Sequence, residues 1–288
     1  MITCNLMGGL GNQLFQIFTT ISYAIKSNSQ FRFLNIEILG GGNTTIRHTY
    51  WNTFLKNIKP LLVKQLPHMD VIKEKGFEYN DIPIVQLFNK NIMLYGYFQS
   101  YKYFQENKEV ICRIIKFNET KYNLLNQNNI DMNDLKKCIS MHFRLGDYKN
   151  LTHYHPIMTY EYYKNALSYI QNKMDRMCEQ NIIDKPLCNV LVFCEENNVS
   201  DVNIIINKLR EDFTNFTFEI KYGNLEDWEQ LILMSCCAHN IIANSSFSWW
   251  GAYLNSNISK IVCYPSEWFA SNVQHNTKDL CPSSWVKI

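Results

Sequence analysis

The chain has 288 residues, 46% of them hydrophobic and 19% charged, enough apolar material for one large or two medium α/β domains and too much for a disordered chain. A net charge of +2 excludes broad attraction to nucleic acid or to an anionic membrane, so an anionic ligand must be met by a local cluster. No apolar run approaches the roughly 20 residues that span a bilayer. The amino terminus lacks the basic start of a secretory signal, and the ten scattered cysteines form no C-x-x-C pair. These features predict a cytoplasmic protein with reduced thiols. Peripheral association with a membrane surface stays compatible with them.

In chain order, Ile2 to Met7 reads as a strand and Gly8-Gly9-Leu10-Gly11-Asn12-Gln13 as the turn after it. Leu14, Phe15, Ile17, Phe18, Ile21, Ala24 and Ile25 then recur at helical spacing, and Phe31 to Leu34 forms a second strand. Glycines such as Gly9 and Gly11 let backbone approach a ligand, and a helix start offers free N–H groups. A plain strand-to-helix turn fits the same residues, although Asn12 and Gln13 favour a polar ligand. Gly40-Gly41-Gly42-Asn43 is a loop, and residues 49–81 look partly helical without clean caps. Met93 to Phe98 reads as a strand running into an aromatic stretch to Phe104, which suits core packing better than a sugar face. Residues 108–134 are helical or loop-like, with Asn126 to Asp131 as the linker.

Beyond the linker the rhythm is regular. Ile139, Met141 and Phe143 alternate as in a half-buried strand, with His142 and Arg144 on its opposite face. A helix over 159–179, strand 190–193, helix 199–212, strand 216–221, helix 225–235, strand 240–243, helix 247–255 and strand 261–264 follow. Strict alternation predicts a doubly wound parallel sheet. The domains expected are 1–132 and 133–288.

Chemistry-bearing residues fall at three predicted strand ends. His142-Phe143-Arg144-Leu145-Gly146-Asp147-Tyr148 gathers an imidazole, a guanidinium and a carboxylate where open α/β sheets bind ligands. Arg144 is suited to phosphate, although an Arg–Asp surface pair closing a turn uses the same residues. Asn244-Ser245-Ser246-Phe247 joins a buried strand to a helix start, an arrangement that caps the helix and can also seat an anion. Glu195 and Glu196 stand at the third strand end, either as an exposed acidic turn or as acceptors for guanine N–H groups. There is no D-x-D pair, and His153-Tyr154-His155 lacks a third ligand, so no metal is expected.

Gly8 to Gln16, His142 to Tyr148 and Asn244 to Ala252 together closely resemble, in order and spacing, the three hallmark motifs of the α-1,2-fucosyltransferases, glycosyltransferase family 11. Gly96-Tyr97-Phe98-Gln99-Ser100 and Ser284-Trp285 are similar to further family features, so the resemblance runs nearly end to end. It implies a GT-B fold, two Rossmann-like domains with a cleft between them. The amino-terminal domain would take the acceptor and the carboxyl-terminal one the nucleotide sugar. The implied reaction is metal-free, inverting transfer of L-fucose from GDP-fucose to the 2-hydroxyl of a galactose-containing glycan, with no cofactor.

By the same resemblance Arg144 holds the β-phosphate and His142 lies near the nucleoside. Ser245, Ser246 and Phe247 supply phosphate contacts at the helix start, Asn244, Gly9 and Gly11 are further candidates for binding the donor, and Asn12 faces the sugar–diphosphate junction. Glu195 stands where related enzymes place an Asp that binds guanine, and the change to Glu leaves that role open. Asp147 is either the acceptor's base or an orienter of Arg144. The rivals are the same fold with another nucleotide-sugar donor and a non-catalytic carbohydrate-binding descendant. A glycoside hydrolase would need two facing carboxylates, and no such pair stands out.

Overall fold

The computed structural model describes residues 1–41, 45–84, 90–182, 187–221 and 225–288. Gly42 and Asn43 of the expected glycine loop lie outside them. The chain divides into two compact units, one formed by 1–124 with 275–282 and the other by 125–274 with 283–288.

The first unit is built on a three-stranded parallel sheet. Its strands are β1 (Ile2–Cys4), β2 (Asp70–Lys73) and β3 (Ile92–Tyr95), in the order β1-β3-β2. A parallel bridge from Ile2 to Phe31 extends it on the far side. β1 is shorter than the expected strand to Met7, and helix α1 (Leu10–Lys26) begins four residues earlier than the apolar periodicity suggests. The cause lies in buried amides. Gln16 accepts from the Met7 N–H at 2.9 Å, and Gln13 donates to the carbonyls of Gly8 (2.9 Å) and His48 (2.8 Å), so polar residues belong to the inner face of the first turns. Hydrophobic periodicity cannot register such a turn. β3 likewise stops at Tyr95 rather than Phe98, because Phe98 takes φ +52° and leaves the extended region. In the aromatic stretch that follows, Phe98, Tyr103 and Phe104 are core residues while Tyr97 is exposed. Region 49–81 contains only a short 3-10 turn, Lys56–Leu61, besides its short strands.

The second unit carries a six-stranded, wholly parallel sheet. Its elements are β4 (Cys138–His142), α2 (Tyr160–Glu179), β5 (Asn189–Phe193), α3 (Val199–Asp212), β6 (Thr217–Lys221), α4 (Asp227–Cys236), β7 (His239–Ile241), α5 (Ser246–Leu254), β8 (Val262–Tyr264) and β9 (Val286–Lys287). The strand order is β6-β5-β4-β7-β8-β9, which numbered within the unit is 3-2-1-4-5-6, the doubly wound arrangement of dinucleotide-binding folds.

Ile139, Met141 and Phe143 pack with Tyr163, Leu167 and Ile170 of α2 and with Val202, Ile206 and Leu209 of α3 on one face. On the other face Asn240 donates to Ser140 Oγ (2.7 Å) and to the Met234 carbonyl (2.8 Å) of α4. β4 is therefore buried on both sides, not half-buried as its alternation suggests: Ser140 and His142 are nearly as inaccessible as the apolar residues. A central strand of a parallel sheet covered by helices on both faces has no solvent side.

Candidate functional site

In an open parallel sheet the point where strand order reverses leaves a crevice at the carboxyl ends of two adjacent strands. Here those strands are β4 and β7, and the motifs expected to carry chemistry follow them directly. The two segments touch: the Tyr148 hydroxyl donates to the Asn244 carbonyl at 3.1 Å, and the His142 and Phe247 rings lie 5.4 Å apart.

Arg144 is the central charge. Its guanidinium makes ion pairs with Asp147 through Nη2 and with Glu195, at the end of β5, through Nη1. It also sits 5.0 Å from the centre of the Tyr148 ring, a cation–π contact. The arginine is mostly covered, whereas both carboxylates are about 40% exposed. Two half-exposed pairs add little stability, since water competes for the carboxylates. Their effect is orientation, fixing a side chain with large rotamer freedom in one place. Glu195 is anchored in turn by Asn198 Nδ2, 3.1 Å from Oε2. Gly146 makes room for it. Its φ is +29°, and a Cβ there would stand 2.3 Å from Glu195 Oε2.

His142 is buried beneath this group, and its Nδ1 has no hydrogen-bond partner. Burial, with a smaller contribution from the Arg144 charge, pushes its pKa down to about 3, so the ring is neutral at ordinary pH. Asn244 donates to the carbonyls of Pro156 (2.9 Å) and Trp268 (3.2 Å), leaving its buried Oδ1 without a partner. Ser245 is the N-cap of α5 and accepts from the Phe247 N–H at 3.3 Å. Ser246 begins the helix and is partly exposed, its hydroxyl not being the cap. Trp249 and Trp250 of the same motif are core residues, and a Cβ at Gly251 would come within 2.8 Å of Met234 Cβ on α4.

Gly9, Gly11 and Asn12 belong to the first unit, at the carboxyl edge of its own sheet. Gly9 is the N-cap of α1, makes no side-chain cap and has open space where a Cβ would be. Gly11 is buried in the first turn. Asn12 Oδ1 accepts from Gln99 Nε2 at 2.9 Å. Gly8, at φ +76°, lies so close that a Cβ would meet Asn12 Nδ2 at 2.5 Å.

The structure thus gathers Arg144, Asp147, Glu195, His142, Asn244, Ser245, Ser246 and Phe247 in one crevice. Residues that the sequence reading did not single out are Tyr148, which joins the two motifs, and Glu74, which holds the Gly96–Phe98 turn. Tyr148 was within reach as the last residue of its motif. Glu74 carried no signal, because the strand before it, Asp70–Lys73, is largely exposed and lacks clear alternation. Among the described residues no three His, Cys, Asp or Glu side chains are grouped as metal ligands, and no helix is long and apolar enough to cross a membrane.

A doubly wound sheet bearing a clamped arginine and a hydroxyl-capped helix start at its switch point is the architecture of a Rossmann-type ligand-binding protein. Residues 1–288 match the sequence profile of Glycosyl transferase family 11. The protein belongs to that family and is a glycosyltransferase. It is 26% identical over 314 aligned positions to an alpha-1,2-colitosyltransferase of Escherichia coli, covering 100% of this chain and 99% of that one. It is 28% identical over 328 positions to the O-antigen biosynthesis glycosyltransferase WbnK of Escherichia coli, covering 100% of both. Among solved structures, a mutant of Arabidopsis thaliana FUT1 in complex with GDP aligns with 91% of this chain and 69% of its own at 8% identity and a TM-score of 0.48.

Proposed function

We propose that the protein is an inverting α-1,2-fucosyltransferase of GT-B type, taking L-fucose from GDP-fucose and attaching it to the 2-hydroxyl of a galactose-containing glycan. The observation that carries this reading is the meeting of the Arg144 segment with the Asn244–Phe247 helix start at one switch point. An arginine beside a helix N-terminus supplies the kind of donors a diphosphate needs.

The acceptor oxygen attacks the anomeric carbon from the face opposite the leaving group. The bond from that carbon to the β-phosphate oxygen breaks, GDP departs with the electron pair, and the hydroxyl proton is lost. Negative charge grows on the diphosphate as the bond stretches, and fixed donors aimed at it lower the barrier. Arg144 and the first turn of α5, behind Ser245 and Ser246, supply them. His142, neutral and buried, lies on the nucleoside side. Asn12 contacts the transferred sugar. Asp147 orients the guanidinium to which it is bonded. Glu195 does the same, in place of the guanine contact the resemblance implies for that position.

A second donor is favoured by the colitosyltransferase relative. Colitose is L-fucose without its 3-hydroxyl, so only a group reading that hydroxyl would separate the two. Incubation with the GDP esters of fucose, colitose and mannose and a panel of galactosides, followed by linkage analysis, tests both readings. Fucose appearing on a galactose 2-hydroxyl is the expected product. Turnover of another donor alone, or a different linkage, overturns the assignment.

A further inference from the structure

The first unit contains a carboxylate that the reaction described above does not use. Glu74 directly follows β2, and its side chain turns inward against the loop after β3. Oε2 accepts from the Tyr97 N–H at 2.7 Å, and the Phe98 N–H also donates to the carboxylate. Gly96 is what lets it approach: a Cβ there would stand 2.3 Å from Glu74 Cβ. Burial raises the pKa of the carboxyl, and the two N–H bonds work against that rise. On its far side the same loop is held by Asp279. The Ser100 hydroxyl donates to the Asp279 carbonyl at 2.6 Å, and the Asp279 carboxylate pairs with Lys102. Between these anchors stands Gln99, nearly buried, whose Nε2 donates to Asn12 Oδ1 at 2.9 Å.

We propose that Glu74 is a positioning residue of the transferase: its carboxylate fixes the Gly96–Ser100 turn so that Gln99 holds Asn12 by its oxygen and presents the Asn12 NH2 group to the substrate. The chain of contacts runs Glu74, Tyr97 and Phe98 backbone, Gln99, Asn12. Its chemical consequence is directional. With Oδ1 already accepting from Gln99, the NH2 group is the part of Asn12 turned to a ligand, which suits an oxygen acceptor such as a sugar ring, hydroxyl or phosphate oxygen. A carboxylate suits the anchoring role because it accepts two backbone N–H groups at once, whereas a glutamine at the same place has one acceptor and sets its own NH2 against the second N–H. The proposal rests on the assignment of Asn12 to the transferred sugar.

The test is a double-mutant cycle in the full-length chain with Glu74→Gln, Gln99→Ala and both together. Each single variant is expected to lose about tenfold or more in kcat, with donor KM within about twofold of wild type, since the contact acts on the reacting sugar. The double variant should be no slower than Gln99→Ala alone. Wild-type kcat in Glu74→Gln, or losses that multiply in the double variant, would overturn the proposal. Hydrogen exchange provides a readout without any donor: Glu74→Gln should speed exchange in peptides covering both 96–100 and 8–13. Faster exchange in 96–100 alone breaks the chain to Asn12. A wild type that turns over some other nucleotide sugar instead of GDP-fucose sinks the donor assignment, while the cycle, run with that sugar, and the exchange data still decide this proposal.

Discussion

His142 and Phe247, 105 positions apart in sequence, bring their rings within 5.4 Å at the switch point of the second unit's sheet. One ends β4 and the other sits in the first turn of α5, so the contact joins the two segments expected to share a ligand. It also seals the imidazole from water, which is why His142 resists protonation.

Acid should therefore weaken the fold through this residue. The folded pKa of about 3 lies below the ordinary 6.5, so between those values the unfolded chain binds the extra proton. The His142 contribution is complete above pH 6.5 and is lost as pH falls toward 3. Thermal melts of wild type and His142→Asn at pH 7.5 and 4.5 should show the variant losing less Tm on acidification. Equal losses would mean the ring is solvated.

Arg144→Lys should remove most of the activity, with kcat/KM falling by about a hundredfold, because a single ammonium cannot span Asp147 and Glu195 and still present a fork to phosphate. Arg144→Ala should in addition weaken GDP binding, measured by calorimetry. Melting temperature should change little in either variant, since the ion pairs are about 40% exposed on the carboxylate side.

Asp147→Asn separates orientation from proton transfer. If Asp147 holds the guanidinium, kcat/KM drops about tenfold while the pH–rate profile keeps its shape. Disappearance of the acid limb would instead identify Asp147 as the base.

Gly146→Ala should perturb the same arginine without touching it. The backbone there sits at φ +29°, and the added methyl would displace the Glu195 carboxylate. A loss of about 1–2 kcal/mol in stability is expected from the left-handed conformation, together with lower affinity for GDP.

Ser100→Ala should cost about 1 kcal/mol in denaturant melts, since it removes one fully buried hydrogen bond to the Asp279 carbonyl. A shift below about 0.3 kcal/mol would show that the tail segment is held by other contacts.

Much of the second unit was legible because helix and strand alternate strictly along the chain. Val199–Asp212 forms over the predicted residues, and the strand ends at Phe193 and near Ala243 fall where the chemistry-bearing residues begin. The candidate residues on that side could be read because a parallel sheet puts all its strand ends on one edge. The first unit was obscure for the opposite reason. Its strands are two to four residues long, α1 buries glutamines in its opening turns, and Phe98 leaves the strand by a positive φ that no local pattern announces. Gly251 shows a different limit: inside a stretch read as binding chemistry, it serves helix packing against Met234. The pairing of Arg144 with Glu195 depends on strands 51 residues apart becoming neighbours, which only the sheet order reveals.

The chain crosses between its units three times, because 275–282 returns to the first before 283–288 completes the second. Asp279 is buried there, accepting from the Tyr79 N–H at 3.3 Å and from the Ser100 hydroxyl, and the returning strand β9 then closes the outer edge of the second sheet. Neither half is thus a contiguous piece of sequence. A nick or stop codon near residue 274 would strip an edge strand from one half and a buried clasp from the other, so a single cut there would damage both halves at once.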